Sequence, residues 1–172
     1  MVKLAGALLV MVAGTLIGFA QAARYAARPG QIRELIHALK RLETEISYGQ
    51  TPLPEALARV GGVLAEPLRR IFLQAAARLK ERRETTAEAC WTEAVETVWP
   101  DTAMRAGEKE ALLRLGASLG LSDRADQLKH VRLAMVHLEA EETAAREEQR
   151  KYEKMCRSLG VLGAALVVIL MV

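Results

Sequence analysis

Hydrophobic residues in this chain form two uninterrupted runs at its ends and a periodic pattern between them. Residues 4–23 carry no formal charge, and a helix of this length covers about 30 Å, the thickness of a bilayer core. Residues 159–172 form a second apolar run, which as a helix covers only about 21 Å. Snorkelling of Arg157 and local thinning of the bilayer can make up the difference. We therefore expect an N-terminal membrane anchor over 1–23, a helical domain over 24–157 and a C-terminal anchor over 158–172.

A cleaved secretory signal is the main alternative for the first run, because Ala20-Gln21-Ala22 has the A-x-A form of a cleavage site. Only Lys3 precedes the run, however, and the run exceeds the usual apolar length of a signal peptide. Basic residues also follow it at once, as they do in uncleaved anchors. An exported helical protein remains possible, but the pattern favours an anchor.

Basic residues next to both anchors predict the orientation of the domain. They lie on its side of each apolar run, and positively charged flanks stay in the cytoplasm. The domain is therefore expected to be cytoplasmic, with Tyr25 and Tyr152 near the same interface with water. The basic residues concerned are Arg24, Arg28, Arg33, Arg150, Lys151, Lys154 and Arg157.

Small residues inside the two apolar runs indicate where the anchors could pack together. Gly14 and Gly18 form a G-x-x-x-G step, and Gly160 and Ala164 form a similar step in the second run. Such steps allow close approach of helix backbones in lipid. These four residues are our candidates for membrane-helix packing.

Between the anchors, apolar residues recur every three or four positions and never alternate as in a strand. The pattern predicts an all-α fold: a compact bundle of about six helices flanked by two transmembrane helices, with the last helix long and continuous into the second anchor. The predicted boundaries are a first turn at Pro29, a cap at Thr51 before Pro52, a Thr85–Glu88 capping box, a helix end at Pro100, a fifth helix before Gly116 and Gly120, and a cap at Ser122 or Asp123.

The predicted core lies on one face of each helix. In the last helix, apolar residues follow a heptad register in which Glu142 and Gln149 intrude. The expected core residues are Ile32, Leu35, Ile36, Leu39, Leu42, Ile46, Ala56, Leu57, Val60, Leu68, Ile71, Phe72, Ala75, Leu79, Trp91, Ala94, Val95, Val98, Trp99, Leu112, Leu113, Leu115, Leu128, Val131, Met135, Leu138 and Ala145.

Charge and cysteine content exclude several classes of function. The 24 basic and 21 acidic residues give a net charge of only +3, without the one-sided basic field that nucleic-acid binding requires. Cys90 and Cys156 are far apart and predict neither a disulfide framework nor a zinc site.

No motif in the chain indicates catalysis. His130 and His137 are seven positions apart, whereas a metal pair on a helix needs three or four. Acidic residues between Glu139 and Glu148 alternate with basic ones, which is typical of a solvated helix face. The sequence lacks a phosphate-binding loop and a nucleophile elbow. We expect a protein that is not an enzyme and that needs no cofactor or metal.

Four ordered stretches resemble the stage III sporulation protein AB family. They are residues 3–10 and 16–18 (KLAGALLV, LIG); residues 42–46, 48–49 and 51–57 (LETEI, YG, TPLPEAL); residues 119–124, 126–127 and 129–130 (LGLSDR, DQ, KH); and residues 154–155 and 157–163 (KM, RSLGVLG). That family is in turn similar to the cytoplasmic domain of type II secretion and type IV pilus platform proteins. Platform proteins usually carry this domain twice and have more membrane helices than the two expected here.

The resemblance implies a component of a secretion-like channel in the mother-cell membrane facing the forespore. Its partners would be the bilayer, a separate secretion-type ATPase, other channel components and possibly further copies of itself. Candidate contact residues for the ATPase are Gly49, Thr51, Pro52, Pro54, Arg69, Arg70, Arg82 and Arg83. A membrane-tethered sensor that signals through the last helix is the alternative.

Overall fold

A computed structural model describes the backbone of residues 2–48, 51–81, 85–119 and 123–171. Within these ranges it describes side chains from residue 23 to residue 152, and that of Met155. The described chain contains helices and no strand, so the predicted all-α class is confirmed. The helices are α1 (Val2–Tyr48), α2 (Leu53–Gly61), α3 (Leu68–Glu81), α4 (Ala87–Val98), α5 (Ala106–Ser118) and α6 (Arg124–Met171), with a 3-10 turn at Trp99–Asp101.

The first helix differs from the prediction, because α1 runs without a break through Pro29. The sequence placed a helix start at this proline. A proline inside a helix removes one backbone hydrogen bond, but here Pro29 is buried and the helix packs on α6 along its described length. The described chain therefore contains six α-helices in all, and this number includes the two helices, α1 and α6, that reach into the apolar ends. The predicted continuity of the last helix is confirmed by α6.

Three helix starts lie within one residue of their predicted positions. Pro52, not Thr51, is the cap of α2, and it makes no side-chain cap bond. Thr86, not Thr85, caps α4, because its hydroxyl accepts a hydrogen bond from the Ala89 N–H at 3.2 Å. Asp123 caps α6 by accepting from the Asp126 N–H at 2.8 Å; the alternative cap, Ser122, lies outside the described residues.

Helices that follow one another along the chain pack together, and α6 returns to pack extensively along α1. The core between them contains nearly all of the predicted apolar residues. Ile46, Leu79, Trp99 and Leu113 are only partly buried but pack against this core. Leu128 is also half-buried.

Trp91 joins α4 to α5 and explains why Gly116 lies inside a helix. Its indole Nε1 donates to the carbonyl oxygen of Leu112 at 2.8 Å, and its ring meets Phe72 edge to face at 5.3 Å. A Cβ on Gly116 would lie 2.4 Å from Cδ1 of Trp91. The sequence placed Gly116 after the fifth helix, but it lies inside α5, because only glycine leaves room for the indole. Gly120, the other predicted position, lies outside the described residues.

Within the described parts of the chain, no helix combines the length and apolar character needed to cross a membrane. The proposed packing residues Gly14, Gly18, Gly160 and Ala164 lie outside the region whose side chains are described.

Candidate functional site

The two long helices α1 and α6 lie antiparallel and are joined by side-chain pairs along their described length. Arg33 Nε contacts Glu142 Oε1 at 2.8 Å, and Arg132 Nε contacts Glu43 Oε1 at 2.6 Å. The residue number rises on one helix as it falls on the other, which establishes the antiparallel direction. Arg124 donates to the carbonyl oxygens of Ile46 and Ser47, and so satisfies acceptors at the end of α1.

Arg28 is the centre of a buried ion cluster that connects α1, α5 and α6. Its Nε donates to Glu108 Oε1 at 2.8 Å, its Nη2 to Glu141 Oε2 at 2.9 Å and its Nη1 to Glu148 Oε2 at 3.3 Å. The side chain of Arg28 is 4% exposed and that of Glu108 is fully buried. A buried charge is tolerated only when it is paired and hydrogen-bonded, and the three carboxylates meet that condition.

Glu108 also shapes the start of α5. Its second oxygen, Oε2, accepts the backbone N–H of Arg105 at 2.9 Å, so one carboxylate both caps the helix and neutralises Arg28. Gly107 lies beside it, and a Cβ there would come within 2.5 Å of Glu141 Oε1. The beginning of α5 is thus held closely against α6.

A second arginine extends the cluster toward the apolar ends of α1 and α6. Arg105 Nη1 and Nη2 each lie 2.9 Å from one oxygen of Glu148, the paired geometry in which guanidinium binds carboxylate best. The hydrogen bond to Glu148 raises the pKa of Arg105 above its ordinary value. The same guanidinium lies 5.3 Å from the ring centroid of Tyr25, a cation–π distance.

Tyr25 and Tyr152 close the junction on the side of the apolar ends. Their ring centroids are 4.0 Å apart at an interplanar angle of 27°, and the Tyr152 hydroxyl donates to that of Tyr25 at 3.1 Å. This hydrogen bond raises the pKa of the Tyr152 phenol. The contact brings the two tyrosines together, and their location at a membrane–water interface stays a prediction.

Two open cavities lie next to the tyrosine pair and share Tyr25 and Arg105. The first, of about 170 Å³, is also lined by Arg24, Arg28 and the loop of residues 102–104. The second, of about 530 Å³, is also lined by Glu148, Lys151, Tyr152 and Met155.

The sequence misread this cluster in two respects. Arg28 was expected to be one of the basic residues that flank the first anchor, and Glu141, Glu142 and Glu148 were expected to form a solvated face. The structure instead directs these carboxylates toward Arg28 and Arg33 of α1 and, for Glu148, also toward Arg105 just before α5. A signal was present, because Arg28 precedes Ile32 by four residues and Leu35 by seven, which places it on the buried stripe of α1.

The side chains of the cluster are ionic and contain no arrangement that we recognise as catalytic. Among the described residues, no group of three or more histidine, cysteine or acidic side chains is placed to hold a metal ion. His130 lies 3.7 Å from Asp126 on the same helix, and Cys90 is buried. The chemistry that the junction provides is therefore charge pairing between three helices.

Comparison with known proteins identifies the family of the chain. The family model described as stage III sporulation protein AB matches residues 3–172. The chain belongs to this family. Stage III sporulation protein AB of Bacillus subtilis (strain 168) is 40% identical over 171 residues, which make up 99% of each chain. A solved structure of stage III sporulation protein AB superposes with a TM-score of 0.68 at 38% identity, covering 73% of this chain and 98% of the other.

In this member of the stage III sporulation protein AB family, the candidate partner contacts fall on separate elements. Thr51, Pro52 and Pro54 lie at the start of α2, and Arg69 and Arg70 lie at the start of α3. No hydrogen bond or ion pair of the described residues joins these two groups. Gly49, Arg82 and Arg83 lie outside the described residues.

Arg70 is paired with neighbouring carboxylates, whereas Arg69 has no such pair within the described part of the chain. Arg70 contacts Glu66 and Asp101, each at 2.8 Å. Its hydrogen bonds to Asp101 and Glu66 raise its pKa. Arg69 is exposed, and its side chain has no ion pair among the described residues. Of the two, Arg69 is the better candidate for an intermolecular contact.

Proposed function

We propose that the chain is a non-enzymatic platform component of a secretion-like sporulation apparatus, and that its helical domain recruits a separate ATPase. In this proposal, residues 1–23 and 158–172 anchor it in the mother-cell membrane facing the forespore. Residues 24–157 lie in the cytoplasm. The observation that carries the proposal is the antiparallel pair of α1 and α6, whose helices continue from the bundle into the two apolar ends of the chain.

The Arg28 cluster supports a mechanical role for this helix pair. Glu108 on α5, and Glu141 and Glu148 on α6, bind one guanidinium of α1. Separating these helices would expose or unpair a buried charge, which is costly. A displacement of the bundle therefore passes to both long helices together, which is what a platform that responds to an ATPase requires.

Recruitment of the ATPase is supported by the family and by the chain's own lack of a phosphate-binding loop. The docking contact that we propose is the exposed Arg69 at the start of α3.

The recruitment proposal is tested by pull-down of the cognate ATPase with the full-length protein in detergent at low salt. We expect Arg69→Glu to weaken capture at least fivefold. The matched control is Arg41→Glu on α1, which reverses another exposed charge without an ion pair among the described residues. Failure of the wild-type protein to capture the ATPase, or equal loss in both variants, would argue against this surface.

Anchoring is tested separately by extracting membranes with alkaline carbonate. An anchored protein stays in the pellet, and a peripheral one appears in the supernatant. Recovery in the supernatant would reject both anchors. The mature mass of the protein would also reveal cleavage after residue 22, the outcome expected of an exported chain.

A further inference from the structure

Two basic side chains beside the Tyr25–Tyr152 stack have no carboxylate partner among the described residues. Arg24 is exposed, and its Nη2 donates only to the carbonyl oxygen of Pro100, at 3.4 Å. Lys151 is exposed next to Tyr152 and makes no ion pair with a described residue. Both differ from Arg28 and Arg105, whose charges are neutralised by glutamates.

Each of these basic residues lines one of the two cavities that meet at Tyr25 and Arg105. Arg24 lines the smaller cavity and Lys151 the larger. Tyr25 therefore lines both cavities, and each cavity also holds one positive charge that is available to an anion. The two cavities together form a divided pocket with one exposed cation in each part and Tyr25 in common.

The tyrosine pair also offers a hydrogen-bond donor. One phenolic proton is used in the Tyr152–Tyr25 hydrogen bond. Because each phenol carries one proton, whichever hydroxyl donates in that bond, the other proton remains for an acceptor. A phosphate oxygen between the two cations is an acceptor of the right chemistry.

The larger cavity changes from polar to apolar along α6. Glu148, Tyr152 and Met155 follow one another at helical spacing and line the same cavity. Met155 is 48% exposed and lies on the side of the apolar run 159–172. Such a gradient matches the boundary between lipid headgroups and acyl chains, where tyrosine and snorkelling lysine are common.

We infer that this pocket binds the headgroup of an anionic phospholipid, with Arg24 and Lys151 supplying the charge and Tyr25 or Tyr152 donating to the phosphate. The inference rests on the proposed membrane anchoring. A free phosphate would meet two exposed and screened cations, whereas a phospholipid is also held by its acyl chains next to Met155. The lipid is therefore the occupant that the charge and the polarity gradient fit together.

The experiment measures lipid selectivity of the full-length protein reconstituted in phosphatidylcholine vesicles. Spin-labelled phosphatidylglycerol and spin-labelled phosphatidylcholine report the fraction of each lipid that is immobilised by the protein. A basic residue at an anionic lipid surface accounts for about a fivefold change in affinity. We expect the wild type to prefer phosphatidylglycerol and the R24Q/K151Q variant to lose that preference about fivefold or more.

The matched control is R41Q/K129Q, which removes two exposed charges that lie far along α1 and α6 from the tyrosine pair. This variant should keep the wild-type preference. Equal loss in both variants would mean that diffuse electrostatics is responsible and would overturn the pocket. Equal immobilisation of both lipids by the wild type would overturn it as well.

Two further arms separate the remaining explanations. Inorganic phosphate and sodium chloride of equal ionic strength should reduce the preference for phosphatidylglycerol to the same extent. A larger reduction by phosphate would mean that the pocket is a site for free phosphate. Carbonate extraction of the same vesicles tests anchoring alone. Protein in the supernatant rejects both the anchoring and the pocket, whereas anchored protein without selectivity rejects the pocket alone.

Discussion

Arg28 donates from Nε to Oε1 of Glu108 at 2.8 Å, and both side chains are buried almost completely. They are separated by 80 positions in the sequence and belong to α1 and α5. Glu108 also caps α5 through Arg105, so the pair fixes where α5 begins relative to the first helix. This contact is the point at which the bundle is locked to the helix pair that carries the apolar ends.

Removing one member of this pair should destabilise the domain strongly. Arg28→Met leaves Glu108 buried without its arginine, and breaking a buried pair in this way costs about 3–5 kcal/mol. Thermal unfolding of the full-length protein in detergent, followed by circular dichroism, measures the effect. Replacing both partners, as in R28M/E108L, should recover part of the loss, because no fully buried carboxylate is then left without its arginine; Glu141 and Glu148 are more than a third exposed.

The control for this pair is Arg41→Gln, which alters an exposed arginine of the same helix. Its effect should stay within about 0.5 kcal/mol, as for most surface substitutions. An Arg28→Met protein that unfolds at the wild-type temperature would show that the cluster does not hold the bundle.

Substitution of Gly116 should reveal the tight contact between α4 and α5. The Cβ of Gly116→Ala would overlap the Trp91 ring at 2.4 Å, and overpacking of a core costs about 1–3 kcal/mol. Gly30→Ala is the matched control, because nothing lies within 4 Å of its Cβ position in α1. There alanine should stabilise the helix by up to about 1 kcal/mol. Denaturant midpoints that shift in the same direction for both variants would contradict this packing.

Glu142 predicts a particular dependence of stability on pH. Burial raises the pKa of its carboxyl, but hydrogen bonds from Arg33 and Arg146 outweigh burial and lower the pKa below the ordinary value. Its contribution is therefore present above the unfolded pKa, about 4.3 for a glutamate, and is lost as the pH falls through the lower folded value.

We expect Glu142→Gln to be less stable than the wild type at neutral pH and the difference to shrink as the medium becomes more acidic. Thermal unfolding between pH 7 and pH 3 measures this difference. Glu147→Gln provides a control at an exposed carboxylate of the same helix. A gap between wild type and Glu142→Gln that grows on acidification would have the wrong sign for this account.

The helical class and most of the core could be predicted because apolar spacing alone determines them. The residues of the stripe from Ile32 to Leu42 are buried as expected. Helix starts were predicted within one residue at Thr86 and Pro52, because several polar or proline residues in succession can serve as caps there. The local sequence therefore limits the cap to two neighbouring residues but does not decide which of the two is the cap.

The ion cluster could not be predicted, because its members come from three distant segments. Glu141 and Glu148 have basic neighbours on their own helix, and local pairing gave a sufficient account of them. Their partner Arg28 is 113 or 120 positions away. The error at Pro29 has the same origin, since contact with α6, rather than local preference, allows α1 to continue through a proline.

Cysteine accessibility tests the central claim, that two anchors hold the domain on the cytoplasmic side, most directly. Cys90 is buried and cannot report it, so single cysteines should be placed at the exposed Ala144 and at residues 2 and 172 of a protein without native cysteines. The protein is expressed in vegetative cells, in which the outer face of the cell membrane is exposed to the medium and to the reagent. The account predicts that an impermeant maleimide labels residues 2 and 172 in intact cells and labels A144C only after permeabilisation. Labelling of A144C in intact cells would contradict it.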